Sequence, residues 1–384
     1  MKLTKLHFSE FKGSSREWIL DDFNLGHINL LVGQNSSGKS RTLAVIIGLS
    51  RIILEPKMAY ENGTYNATFT SDEHIYEYKL TIFNYQIVIE SLRVNDNLVL
   101  KRTANGEGFM YNEEAKAELK FKLPANTPTV TRRDSIQYPF LEDLFNWAIN
   151  VRIFYFGSDM GKSHFNAVEP NINFKKYDLK NTGQVVDLFL EGFSEYKRLF
   201  TDKIVSDFNK IGYDISNVFA SQQIAMTFDN LPNKVFGLLV QENDRKGPTD
   251  QISMSTGMFR ALSIIIYINY YEISNTPGTV LIDDIGEGLD FERSQKLINL
   301  LIERGSSNLV QLIMSTNDKF IMNRTPLDHW QIVTRKGGCV KMFNQLNHPA
   351  VFEEFQYTGL NNFDFFSSGF FKEGFSDFSL DKDE

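Results

Sequence analysis

The chain has 384 residues, 42% of them apolar and 23% charged. This excludes wholesale disorder and a fibrous repeat, and leaves room for one large or two ordinary domains. With 40 Lys and Arg against 48 Asp and Glu the net charge is −8, which argues against a general nucleic-acid coat while leaving a local basic groove open.

From the N-terminus, residues 1–32 read as strands. Met1 to Phe11 alternates loosely, and the short apolar run His27-Ile28-Asn29-Leu30-Leu31-Val32 stops at Gly33. A helix is expected from Gly38 to about Ile53, with Leu43, Ile46, Ile47, Ile52 and Ile53 as its apolar positions. Tyr65–Thr70, Ile75–Phe83, Tyr85–Val94 and Leu98–Arg102 are short β-rich runs parted by Asn-Gly, Ser-Asp and Asn-Asp turns, the pattern of an antiparallel meander. Leu123 to Pro139 is a polar connector. Phe140–Asn150 and Gly183 to about Ile211 read as helices, with strand-like Val151–Phe156 between them. The segment 231–345 alternates strand and helix: Gly278–Ile282 is a buried strand, Asp290–Arg304 a helix and Leu309–Ser315 a second buried strand. No long heptad run predicts a coiled-coil arm.

These readings divide the chain into an α/β core over 1–58 and 231–345, a β-rich insertion over 59–122, a helical lobe over 140–230, and a Phe-rich acidic tail over 346–384. The fold class expected is α/β, a P-loop fold with the meander inserted after the first helix. No apolar run is long enough to span a membrane, and the opening residues show no signal-peptide pattern. The single cysteine, Cys339, and six scattered histidines predict neither an internal disulfide nor a zinc site. A cytoplasmic protein is the expectation.

Gly33-Gln34-Asn35-Ser36-Ser37-Gly38-Lys39-Ser40 fits the phosphate-binding loop G-x-x-x-x-G-K-[ST]. Its glycines let the backbone turn N–H groups toward phosphate oxygens, and the following helix presents its positive end to the same charge. Lys39 is expected on the β- and γ-phosphates, and the Ser40 hydroxyl on Mg²⁺. Asn35, Ser36, Ser37, Gly38 and Arg41 complete the expected nucleotide contacts on this loop and helix. Such a site needs a carboxylate at the end of another buried strand. Val280-Leu281-Ile282-Asp283-Asp284 supplies one, with Asp283 for the metal and Asp284 where a general base would stand. Ser255 and Gly257, in Met254-Ser255-Thr256-Gly257-Met258-Phe259-Arg260, open a second helix. They read as a further anion site or as an ordinary N-cap. The guanine-selective N-K-x-D motif is absent, so adenine is the expected base.

The order of these motifs, followed by Ser315-Thr316-Asn317-Asp318, resembles the ABC-type ATPase heads of the SMC, RecF and OLD group. It is most similar to the AAA-type single-chain ATPases found in bacterial defence systems. Leu3 to Ser14 resembles the first strand and turn of those heads. The resemblance covers residues 1–55 and about 250–325. It implies an ATPase that sandwiches two ATP molecules between two copies, each copy completing the other's site with Ser255 and Gly257. It further implies that Gly286–Asp290 is the D-loop, that Asn317 stands where a switch histidine is usual, and that Lys12 contacts base or phosphates. Asp284 then replaces the usual glutamate. It is one methylene shorter, a displacement of roughly 1.5 Å, and misplacement on that scale costs about 10²-fold. Asn317 cannot exchange a proton. Slow, partner-gated hydrolysis is therefore expected, with a separately encoded effector as partner in a prokaryotic defence system. A RecF-like DNA-repair clamp and a non-hydrolysing ATP-dependent scaffold are the alternatives. Gln184 is a candidate Q-loop glutamine.

Basic pairs at Lys101-Arg102, Arg132-Arg133 and Lys175-Lys176 read as a possible DNA face or as separate solvated charges. In the tail, Phe363, Phe365, Phe366, Phe370, Phe371, Phe375 and Phe378 alternate with Ser, Gly and acids. They are expected either to dock on the protein's own core or to capture a partner.

Overall fold

A computed structural model describes residues 1–71, 73–168, 181–222, 224, 234–306 and 309–375. The chain forms two compact units, one built from Met1–Val151 with Pro326–Glu384 and the other from Arg152–Thr325.

The first unit is organised by a mixed sheet. Its strand order is Ile28–Val32, Trp330–Lys336, Cys339–Phe343, Trp18–Asn24, Lys2–Glu10, Asn62–Thr70, Ile75–Phe83, Gln86–Val94, Asn97–Thr103, Glu107–Asn112 and Ala117–Lys122. Ile28–Val32 runs parallel to Trp330–Lys336, and every residue of Ile28–Val32 is buried. From Lys2–Glu10 outward the sheet is an antiparallel meander. The meander continues past Arg102 by two strands, Glu107–Asn112 and Ala117–Lys122, that the hydrophobic pattern alone does not reveal. The last is exposed along nearly its whole length, so it carries no buried alternation to read. Because Asn62–Thr70 pairs directly with Lys2–Glu10, the meander extends the sheet whose strand Ile28–Val32 leads into the loop Gly33–Ser40.

Two helices, Lys39–Leu54 and Pro139–Ile149, belong to this unit, with Trp147 set edge-on against Phe69 at 4.6 Å. The connector between the meander and the second helix is tied down by a buried pair. The Glu90 carboxylate accepts from Thr129 N–H at 2.8 Å and Val130 N–H at 3.2 Å, and Arg102 donates to Pro124 O at 2.7 Å and to Thr127 O. Both side chains are sealed from solvent. Arg102 is therefore a structural residue and no part of a DNA face. Arg133 pairs with Glu142 at 2.5 Å, and Arg132 lies over the Phe121 ring. Lys175-Lys176 lies outside the described residues.

The Phe-rich tail docks on its own unit. Phe365 is fully buried, with ring centroids 4.8 Å from Phe352 and 4.7 Å from Phe355. Phe371 meets Phe343 at 5.3 Å. The helix Asn362–Ser367 opens with a reciprocal cap between Asn361 and Asp364. Phe363 and Phe366 are half-buried and Phe375 is exposed, and Phe378 lies outside the described residues.

The second unit holds a parallel sheet in the order Val151–Tyr155, Gly278–Asp283, Val310–Thr316. A smaller antiparallel sheet is formed by Asn166–Val168, Lys234–Glu242 and Ile215–Gln222, with Thr249–Asp250 paired to the second of these. The helix expected to run from 183 to 211 is broken at Lys197, whose φ of 53° is incompatible with a continuous helix. Ile215–Gln222, inside the expected helical lobe, is a strand. Its partner Lys234–Glu242 lies beyond a local window, and cross-strand burial decides such segments. Thr256–Ile273 is the central helix, buried along most of its length. Among the described residues no helix is long and apolar enough to cross a membrane.

Candidate functional site

In the first unit the buried strand Ile28–Val32 delivers Gly33 to a tight crossing. A Cβ at Gly33 would stand 2.5 Å from Val333 O and 2.7 Å from Ser37 Oγ, so only glycine fits. Ser36 and Gly38 take left-handed backbones, φ 63° and 110°, which curl the loop into the start of helix Lys39–Leu54. That helix has no acidic residue in its first turn and no side-chain cap at Gly38, so its positive end is not neutralised from within. Lys39 is buried, and its ammonium donates to Gly33 O at 2.7 Å and Gln34 O at 3.2 Å. The Ser37 hydroxyl is buried without a hydrogen-bond partner. An orphaned donor, a lysine bonded to its own loop carbonyls and an uncapped helix start are what a phosphate ligand would satisfy.

Arg41 lies over the Trp18 ring, 4.6 Å to the centroid, and pairs with Glu10. Lys12 is exposed in the turn after Lys2–Glu10, where Arg16 covers the Phe11 ring at 3.7 Å.

In the second unit, Gly278–Asp283 ends in the two aspartates. The buried Asp283 carboxylate accepts from Ser315 Oγ at 2.6 Å. The same hydroxyl accepts from Asp284 N–H at 2.9 Å. Asp284 has a left-handed backbone, φ 54°, a conformation that aspartate tolerates better than most side chains. Asn317 Nδ2 donates to Asp284 Oδ1 at 3.4 Å. The structure thus brings together three predicted residues, Asp283, Asp284 and Asn317, and adds Ser315. Asp284 and Asn317 line a cavity of about 260 Å³ with Gly286, Glu287, Thr316 and Asp318.

Ser255 is the N-cap of helix Thr256–Ile273, its hydroxyl accepting from Met258 N–H at 3.1 Å. Both readings of this residue survive, because Ser255 and Thr256 are also exposed at the helix start. Gly257 is required by its neighbour, since a Cβ there would stand 2.1 Å from Gly288 O. The loop Gly286–Asp290 turns through Gly286 and Gly288, φ 92° and 82°, and Asp290 caps the next helix by accepting from Arg293 N–H at 3.0 Å. The backbone N–H of Arg293, and then its side chain, hold the Asp290 carboxyl below the usual range.

Three features had no signal in the local pattern. Arg260, buried, donates from Nε to Ser158 O and from Nη1 to Glu287 O, each at 2.9 Å, joining helix Thr256–Ile273 to the loop Gly286–Asp290. Lys162 Nζ donates to Met254 O at 2.6 Å, just before Ser255. The turn after Val151–Tyr155 reaches the aspartate strand, where Phe156 N–H donates to Asp283 O at 3.0 Å. Gln184, the candidate Q-loop glutamine, sits at the N-cap of helix Val185–Tyr196.

The Asp283 carboxylate and, in the other unit, the Ser40 hydroxyl are each hard oxygen donors of the kind Mg²⁺ prefers.

The fold is that of an ABC-type ATPase head of the SMC kind. It is similar to an SMC head solved with the C-winged helix domain of ScpA bound, at 12% identity and a TM-score of 0.53, covering 89% of this chain and 97% of that one. It is also similar to an SMC head with an extended coiled coil, bound to the C-terminal domain of ScpA and derived from Pyrococcus furiosus, at 12% identity and a TM-score of 0.51, covering 92% and 99%. At such identity the likeness is one of fold. No family model and no curated protein matches the sequence.

Proposed function

We propose that this chain binds ATP with Mg²⁺, hydrolyses it slowly, and uses it to clasp two copies head to tail so as to control a separate effector protein. The loop Gly33–Ser40 carries the reading: its buried Lys39 donates to the loop's own carbonyls at 2.7 and 3.2 Å, and its Ser37 hydroxyl is unsatisfied. On binding, Lys39 exchanges those carbonyls for phosphate oxygens, and Ser37 and the loop N–H groups close around the same charge. Ser40 and Asp283 would each offer an oxygen ligand to Mg²⁺, and the ion would supply charge that offsets the phosphates. Asp284, steadied by Asn317, orients the attacking water and receives its proton. Ser255 and Gly257 of a second copy present their helix start to the nucleotide.

Hydrolysis is slow in this reading because a short carboxylate and a non-titrating amide do the work of longer and more basic groups. The pairing of Asn317 with Asp284 also supports a second reading, a non-hydrolysing scaffold, in which ATP serves only as the clasp. A protein partner is supported by the ScpA domains bound to the SMC heads of similar fold. The setting, a cytoplasmic regulator in prokaryotic defence, rests on the motif order. A DNA clamp has weaker support, since Arg102 and Arg133 are engaged within the protein.

The test is the solution mass with and without Mg-ATP, for wild type and Lys39→Ala. ATP should convert wild type to a dimer and leave the variant unchanged. A mass that ignores ATP in both, with no ATP bound to either, overturns the reading.

A further inference from the structure

Beside the phosphate loop lies a cavity of about 570 Å³. One wall is Gln34 to Ser37 of the loop itself. The rest of the lining includes residues from far later in the sequence: Arg335 near the end of strand Trp330–Lys336, and Phe366, Phe371 and Lys372 of the C-terminal segment. Every one of these residues belongs to the first unit. The volume falls within the range of small-molecule sites.

Several observations say what the cavity takes. The Ser37 hydroxyl, on a residue only 7% exposed, lines it and has no hydrogen-bond partner. Arg335 and Lys372 also line it, and neither forms an ion pair among the described residues. In a chain of net charge −8, two such cations facing one cavity beside a phosphate loop mark it for an anion. The wall that carries them is built firmly. Phe371 is 3% exposed and packs on Phe343, Phe366 stacks on Phe371 at 6.1 Å with an interplanar angle of 18°, and the Lys372 ammonium lies 5.7 Å from the Phe371 centroid. Packing of this kind holds the stem of Lys372 while leaving its charge in solvent.

We infer that the C-terminal segment is a working part of the phosphate site: Lys372 and Arg335 reach the polyphosphate held by Gly33–Ser40. The inference rests on the proposed ATP-binding role of that loop. It gives the Phe-rich segment a use beyond covering apolar surface, since the docked phenyl rings fix the backbone that aims Lys372.

The experiment is calorimetric titration of the full chain with Mg-ATP and, separately, with inorganic tripolyphosphate and Mg²⁺. The proteins are wild type, Lys372→Glu, Lys372→Gln, Arg335→Ala and Lys39→Ala. The two cationic positions are exposed, so the thermal midpoints of their ligand-free variants should match wild type. The glutamine variant serves if charge reversal disturbs folding. Lys372→Glu is expected to weaken both ligands by about tenfold or more, and Arg335→Ala by several-fold. The salt dependence of binding should become shallower in both, which loss of packing alone would not cause.

Wild-type affinity of the Lys372 variants for both ligands overturns the inference. Weaker ATP binding with unchanged tripolyphosphate binding assigns Lys372 to the nucleoside and overturns its phosphate role. The reading beneath it fails separately: wild-type ATP affinity in Lys39→Ala removes the loop from the site, whatever the Lys372 variants do.

Discussion

Ser315 donates its hydroxyl hydrogen to the Asp283 carboxylate at 2.6 Å, and the same oxygen accepts from the N–H of Asp284 at 2.9 Å. One fully buried side chain thereby sets both the direction of the proposed metal carboxylate and the backbone of the proposed base. Ser315→Ala removes one hydrogen bond from the Asp284 N–H and one from the Asp283 carboxylate, at a cost of about 1–3 kcal/mol. Its ATPase rate should fall by about tenfold or more with ATP affinity nearly unchanged, because Asp283 is misdirected while the phosphate loop is intact. A steady-state rate equal to wild type would assign Ser315 to stability alone.

Asp284 is the residue on which the two functional readings part. Asp284→Glu restores the missing methylene and should raise turnover if the site is built for chemistry and throttled. The gain is accompanied by a small loss of stability, because the left-handed backbone at this position suits aspartate better than glutamate. Asp284→Asn should abolish turnover and preserve ATP-dependent association. If neither wild type nor Asp284→Glu releases phosphate, the scaffold reading prevails.

Arg260 bonds two backbone carbonyls, Ser158 O and Glu287 O, from a buried position. Arg260→Ala removes two charge-assisted hydrogen bonds and should lower stability by about 2–4 kcal/mol. Arg260→Lys keeps the charge but loses the planar fork that spans both carbonyls. That variant should bind ATP normally as a monomer and dimerise poorly, since Gly286–Asp290 and the start of the Ser255 helix no longer move as one piece. Mass against ATP concentration checks this, and wild-type dimerisation in Arg260→Lys refutes it.

Glu90 and Arg102 are a sealed ion pair that anchors the 124–130 connector. Removing one partner of such a pair costs about 3–5 kcal/mol. Glu90→Ala should therefore lower the thermal midpoint and open the connector to limited proteolysis. The Tyr78 hydroxyl, which donates to Glu90 at 3.1 Å, is held well above its ordinary pKa by burial and then by the Glu90 charge. Its neutral form is favoured in the folded state, so it adds stability below pH 10 that is lost as the pH rises further. Part of that alkaline loss should disappear in Glu90→Ala. An unchanged midpoint in that variant would show that the connector is held elsewhere.

The turn of Gly33–Gly38 into a helix, the aspartate-ended strand and the first strands of the meander were legible in the sequence by itself. Each is local: a fixed spacing of Gly, Lys and Ser, an apolar run with a hard stop, or a period of two between turn residues. What only the tertiary structure decided is long-range. Ser315 lies 32 residues from Asp283, and Arg260 lies 102 residues from Ser158. No local period encodes such hydrogen bonds, because a buried serine and a buried arginine look like any strand end or helix residue until their acceptors are placed. The strand Ile215–Gln222 depended likewise on a distant partner, and the tail on where its phenylalanines find a core. Local pattern chooses the elements, whereas satisfaction of buried polar groups and packing across the chain decide which residues the elements bring to one site.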